Sequence, residues 1–216
     1  MPRIALIHAV AVAIPPVHDA FRQLWPDAEC IDILDTSLSR DREREGRLTE
    51  KMVGRFLLLA RYAEDNGADG ILFTCSAFGE AIEAAAAKAS IPVLKPNEAM
   101  FEAALAAGKR LGMLATFEPS VAGMEEEFRD MAGDTKSKAA LSSFCVPGAM
   151  KALQAGDGAE HDQLVAIAAP RFADHDAVLL AHFSTSRAAA AVKAVVRCPV
   201  LTAPSAAVTK MKGMIG

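Results

Sequence analysis

Short uninterrupted apolar runs recur along the chain at residues 3–9, 29–34, 70–74 and 92–94, and again at 110–115, 141–145, 177–182 and 199–202. Runs this short, apolar at successive positions, fit strands buried on both faces of a parallel sheet. Between them the pattern changes to helical spacing. Leu48, Met52, Phe56, Leu59, Ala60 and Ala63 fall on one face, with Gly67 beyond them as a stop. The Ala-rich stretch from Ser76 to Ala89 comes directly after a run and is predicted as another helix. Strands alternating with helices imply βαβ units with right-handed crossovers.

The runs also share a register. Asp69 to Cys75 matches Asp176 to His182, Ile91-Pro92-Val93-Leu94 matches Cys198-Pro199-Val200-Leu201, and Arg3 to Ile7 matches Arg110 to Leu114, each pair 107 residues apart (69 and 176, 92 and 199, 3 and 110). Similar apolar composition alone does not produce one offset in three places. The chain is therefore predicted as an α/β protein of two duplicated lobes, each a four-stranded parallel sheet flanked by helices. Residues 1–98, with 206–216 packing back on them, form the first lobe, and 99–205 the second. Ligands of open parallel sheets bind beyond the carboxyl ends of the strands, which puts the expected active site in the cleft between the lobes.

Composition narrows the function. Of 216 residues, 52% are hydrophobic and 23% charged, enough apolar content for a buried core, and the net charge is −4. A protein that grips a nucleic-acid backbone needs a basic face, so nucleic acid is not an expected partner. No polybasic stretch or apolar run of about 20 residues points to a membrane. The apolar N-terminal stretch to Ile14 is flanked by one Arg and ended by Pro15-Pro16, and is read as a buried first strand rather than a signal peptide. The four cysteines (Cys30, Cys75, Cys145, Cys198) are widely spaced with no CxxC, which fits a reducing cytoplasm better than a zinc cluster or disulfide scaffold. No Gly-rich phosphate motif, His-x-x-x-His or paired-carboxylate arrangement calls for a nucleotide or a metal.

Candidate chemistry gathers at strand ends. Cys75 follows the third run and precedes a predicted helix, where the positive end of the helix dipole lowers a thiol's pKa. Cys30, Cys145 and Cys198 lie in or beside strand patterns and read as small core residues. His182 occupies the position equivalent to Cys75 and precedes Ser184-Thr185-Ser186. A thiol and an imidazole facing one substrate supply an acid and a base near neutral pH. Thr74, Ser76 and Ala77 on one side, and Ser184 and Thr185 on the other, are expected to bind a carboxylate, with hydroxyls or helix-start N–H groups as donors. Thr116 and His8, each at a strand end, are further candidate substrate contacts. The mixed-charge run from Ser39 to Gly46 reads as a solvated loop or helix start, and Lys95-Pro96-Asn97 as a turn before the next helix.

Gly67 to Ser76, Ile91-Pro92-Val93 and the second-half echo Asp176 to His182 resemble the aspartate/glutamate/hydantoin racemase superfamily. The resemblance covers nearly the whole chain. It implies an enzyme without a cofactor in which one cysteine from each lobe works on opposite faces of a carbon beside a carboxylate. Cys75 matches the first-lobe cysteine. At the second position the family motif has cysteine and this chain has His182. The expected activity is a cofactor-independent isomerase or racemase of a small carboxylate or carbonyl compound, with Cys75 as base or nucleophile and His182 as the opposing proton donor. The alternative is a cysteine-dependent decarboxylase or hydrolase of a small carboxylic acid on the same scaffold, which a covalent adduct on Cys75 or CO₂ release distinguishes. A non-catalytic binding protein, whose Cys75 would titrate like a free thiol, is a third reading. A cytoplasmic homodimer is the expected assembly.

Overall fold

A computed structural model describes all residues, 1–216. The chain divides into two compact units, Met1–Glu98 with Ala207–Gly216, and Ala99–Ala206. In the first, β1 (Arg3–His8) leads through α1 (Ile14–Leu24) to β2 (Glu29–Leu34). Then come α2 (Ser37–Glu45), α3 (Glu50–Asp65), β3 (Gly70–Phe73), α4 (Gly79–Ala86) and β4 (Val93–Leu94). In the second, α5 (Glu98–Ala107), β5 (Arg110–Ala115), α6 (Val121–Asp134) and β6 (Ala140–Cys145) precede α7 (Ala149–Gln154) and α8 (Gly158–Ala168). β7 (Ala177–Leu180), α9 (Ala189–Lys193), β8 (Val200–Thr202) and α10 (Ala203–Ile215) complete the chain. Each unit holds a four-stranded parallel sheet, in the orders β2-β1-β3-β4 and β6-β5-β7-β8.

The 107-residue repeat extends to individual hydrogen bonds. The N–H of Asp69 donates to the Arg3 carbonyl at 2.7 Å, and that of Asp176 to Arg110 at 2.7 Å. In return the Arg3 N–H donates to the Asp69 carboxylate at 2.7 Å, and the Arg110 N–H to the Asp176 carboxylate at 2.8 Å. Ile71 and Val178 donate to the carbonyls of Pro92 and Pro199, and Thr74 and Ala181 to those of Ile7 and Leu114. The repeated Asp satisfies the N–H that opens the central strand, and the repeated Pro opens the edge strand. These polar residues recur because the strand ends they serve recur.

Burial follows the apolar pattern. Met52, Phe56, Ala60 and Ala63 of α3 are buried as spaced, while the Thr49 hydroxyl accepts from the Met52 N–H at 3.3 Å as the helix cap. Gly67, at φ +74, ends that helix in the left-handed region. In the first unit Phe56 stacks on Phe73 and Phe78, with centroids 5.2 and 4.8 Å apart. A Cβ on Gly70 would lie 2.6 Å from Ile215 and 2.8 Å from Met211, so the end of α10 packs directly on the start of β3.

Three local expectations change. Beyond His8 the apolar N-terminal stretch leaves the sheet, and Pro15-Pro16 sits in the first turn of α1, where the fixed φ and missing N–H of proline suit a helix start. Residues 39–45 of the mixed-charge run are helical and belong to α2, which Gly46 ends at φ +64. Ser76 opens a 3₁₀ turn, Ser76–Phe78, and the α-helix begins only at Gly79 and ends at Ala86. No side chain caps either segment, and the turn swings the fully buried Phe78 onto Phe56.

Candidate active site

In the first unit, His8 and Cys75 follow from the ends of the two central strands, β1 and β3. His8 is fully buried. Its Nε2 lies 3.0 Å from the Asp32 carboxylate and its Nδ1 2.9 Å from the Thr74 hydroxyl. A carboxylate only accepts, so Nε2 carries the proton, and the neutral ring takes the Thr74 hydroxyl proton at Nδ1. Burial keeps this ring neutral by lowering its pKa, outweighing the pull of Asp32. Asp32 also meets His18 Nε2 at 2.8 Å. Rather than offering a free nitrogen, His8 holds Thr74, the residue before Cys75, in place.

Cys75 is partly buried and packs against the apolar core of its unit. Burial pushes its thiol above the ordinary value, and the Ala77 N–H is the one group that opposes this. The lowered pKa expected from a helix start is thereby overturned. The α-helix begins four residues later than Cys75, so desolvation wins over the dipole. Ser76 is partly buried and Ala77 exposed. Arg42 of α2 donates from Nε to the Ala77 carbonyl at 3.4 Å, which brings a guanidinium to the loop that carries the thiol. In the sequence Arg42 is one charge among several in a mixed run.

In the second unit His182 follows β7 and is one of two non-glycine residues with positive φ, at +70. A side chain in that region is strained, and such strain collects at functional positions. Its Nε2 lies 2.5 Å from the Ser120 hydroxyl, and its Nδ1 is buried without a hydrogen-bond partner. Burial lowers the imidazole pKa to about 4, outweighing the Ala181 backbone, which pulls the other way. The hydroxyl-rich stretch after His182 is a 3₁₀ turn, Ser184–Ala188, and α9 contributes only five residues, so no long helix dipole points at it. Ser184 and Thr185 are buried, and Thr185 spends its hydroxyl on Thr116, 3.1 Å away and also buried.

The remaining cysteines are not alike. Cys198 packs against the second core. Cys30 lies on β2, its pKa pushed up to about 12 by burial and by Asp32. Cys145 ends β6 and reaches Glu118, and burial together with that carboxylate raises it to about 11. No group of three or more His, Cys, Asp or Glu side chains is arranged to hold a metal ion. No helix is long and apolar enough to cross a membrane.

The sequence model of the Asp/Glu/Hydantoin racemase family matches residues 15–169. The chain belongs to that family. No curated relative matches the sequence. Among solved structures, allantoin racemase from Klebsiella pneumoniae is 19% identical with a TM-score of 0.73, over 100% of this chain and 88% of that one. Glutamate racemase from Campylobacter jejuni is 17% identical with a TM-score of 0.71, over 98% and 85%. An aspartate racemase homologue from Pyrococcus horikoshii is 12% identical with a TM-score of 0.76, over 100% and 99%. These likenesses establish the fold, and the family makes this racemase-type protein an isomerase.

Ser120, like Arg42, is not singled out by the sequence, where it is only a hydroxyl two places after a glutamate. It becomes visible only when the 3₁₀ turn Glu118–Ser120 is folded beside the end of β7.

Proposed function

We propose that the protein is a cofactor-independent racemase or isomerase that moves a proton at a carbon beside the carboxylate or carbonyl of a small acid, with Cys75 and His182 as its two proton-transfer groups. The observation that carries this reading is their matched position and opposite protonation. Each follows a central strand at the same point of the repeat (75 and 182, 107 apart), one with its pKa raised and the other with its pKa lowered to about 4. Near neutral pH the thiol therefore holds a proton and the imidazole lacks one. This reverses the roles expected from the sequence. In the resting enzyme His182 takes the substrate proton and Cys75 supplies one, which leaves imidazolium and thiolate, the pair that runs the reaction backwards.

Arg42, Thr74 and Ser76 are the groups around Cys75 suited to an anionic substrate, and His8 serves by positioning Thr74. Ser184, Thr185 and Thr116, the last two hydrogen-bonded to each other, are the substrate contacts proposed for the second unit, and a cytoplasmic homodimer remains part of this proposal.

The compounds in the names of the similar enzymes are the first probes: aspartate, glutamate, allantoin and a 5-substituted hydantoin. Each is incubated with enzyme in D₂O, and loss of the α-proton signal is followed by NMR against an enzyme-free control. At least one is expected to exchange, and Cys75→Ala or His182→Ala is expected to slow that exchange by at least about a hundredfold. Full activity in both variants would remove the assignment. Arg42→Met is expected to raise KM about tenfold with little change in kcat, the signature of lost substrate binding.

A further inference from the structure

His182 can work in either direction only if one ring nitrogen is kept free for the travelling proton, and two contacts decide which. Ser120 Oγ is 2.9 Å from the Phe117 carbonyl oxygen and 2.5 Å from His182 Nε2. The carbonyl cannot donate, so the hydroxyl proton must lie between the two oxygens; without it, lone pairs would face each other at hydrogen-bond distance. Ser120 then has only lone pairs left for the ring, and Nε2 must be the donor. In a neutral imidazole this leaves the lone pair on Nδ1, which is buried and has no partner within the chain. A buried polar atom without a partner calls for a functional explanation.

We infer that Ser120 is a positioning residue. It locks His182 in the Nε2–H tautomer through the chain His182 Nε2–H to Ser120 Oγ–H to the Phe117 carbonyl, and so makes Nδ1 the nitrogen that accepts and returns the proton. This deepens the proposed function and rests on it for its catalytic meaning. The turn is also held at its other end. Glu118, two residues before Ser120, engages Cys145 at the end of β6, which ties the turn to the sheet. Pro119 between them adds a fixed φ.

The tautomer is read directly from protein labelled with ¹⁵N-histidine, by long-range ¹H–¹⁵N correlation near neutral pH. His182→Gln identifies the His182 signals among the five histidines. Wild type is expected to show a protonated Nε2 and a bare Nδ1. Ser120→Ala is expected to mix the two tautomers and to lower kcat about tenfold on the fastest-exchanging probe acid, with KM within about twofold. Ser120→Thr, which keeps the hydroxyl, is expected to restore both. A wild-type Nδ1–H pattern, or a Ser120→Ala spectrum identical to wild type, would overturn the inference. If the tautomer shifts as expected while His182→Gln retains full turnover, Ser120 still positions the ring but the catalytic role of His182 fails.

Discussion

At the scale of single residues, desolvation decides the chemistry. Cys75 lies at a strand end followed by polar residues, a setting in which the sequence favours thiolate. The fold instead places the thiol against the apolar core, and burial raises its pKa. Peptide-resolved alkylation with iodoacetamide checks this. The Cys75 rate is expected to be slow at pH 7 and still climbing above the ordinary thiol pKa of about 8.5. A plateau by pH 8 would show an activated thiolate in the free enzyme. For His182 the sign runs the other way. A ring held neutral in the fold, with pKa about 4 against about 6.5 when unfolded, stabilises the protein above pH 6.5 and loses that contribution as pH falls toward 4. Wild type is therefore expected to lose more stability than His182→Gln between these pH values, by on the order of 3 kcal/mol, measured by urea unfolding. Parallel losses would show that His182 titrates normally.

At the scale of elements, the strands were legible because each is a short apolar run, and eight hydrogen bonds in four repeat-related pairs explain why the offset stays at 107. Helix α3 was legible too, from the spacing of Met52, Phe56 and Ala63. The 3₁₀ turns after Cys75 and His182 were not. A Ser-led stretch after a strand reads as a helix start, and only the demand to bury Phe78 or Thr185 shows that the chain first makes a tighter turn. Ser120 was hidden for a related reason, since its partner is 62 residues away and the contact exists only in the folded unit. The turn after Cys75 depends on its aromatic anchor. Phe78→Ala is expected to cost about 3–5 kcal/mol in urea unfolding and to lower exchange activity by displacing Cys75. A loss below about 1 kcal/mol would mean that Phe78 does not fix the turn.

At the scale of the whole molecule, duplication supplies two equivalent strand ends, and the chain has placed different groups on them. A pair of identical thiols needs some asymmetry to hold one proton between them. A partly buried thiol and a partly buried imidazole have it from the start, because desolvation keeps both neutral, one by retaining its proton and the other by refusing one. The isomerase class follows from the family, while the proposed direction of proton flow rests on burial. That direction is the central claim, and the isotope content of the first turnover tests it most directly. Enzyme equilibrated in D₂O is given one enantiomer of the probe acid that exchanges fastest, and both enantiomers are analysed by mass spectrometry while conversion is still below about a tenth. With His182 removing the proton and Cys75 delivering another, the new enantiomer carries deuterium and the remaining starting enantiomer stays protiated. A new enantiomer that retains the original protium would mean that one group serves both faces, and would contradict the assignment.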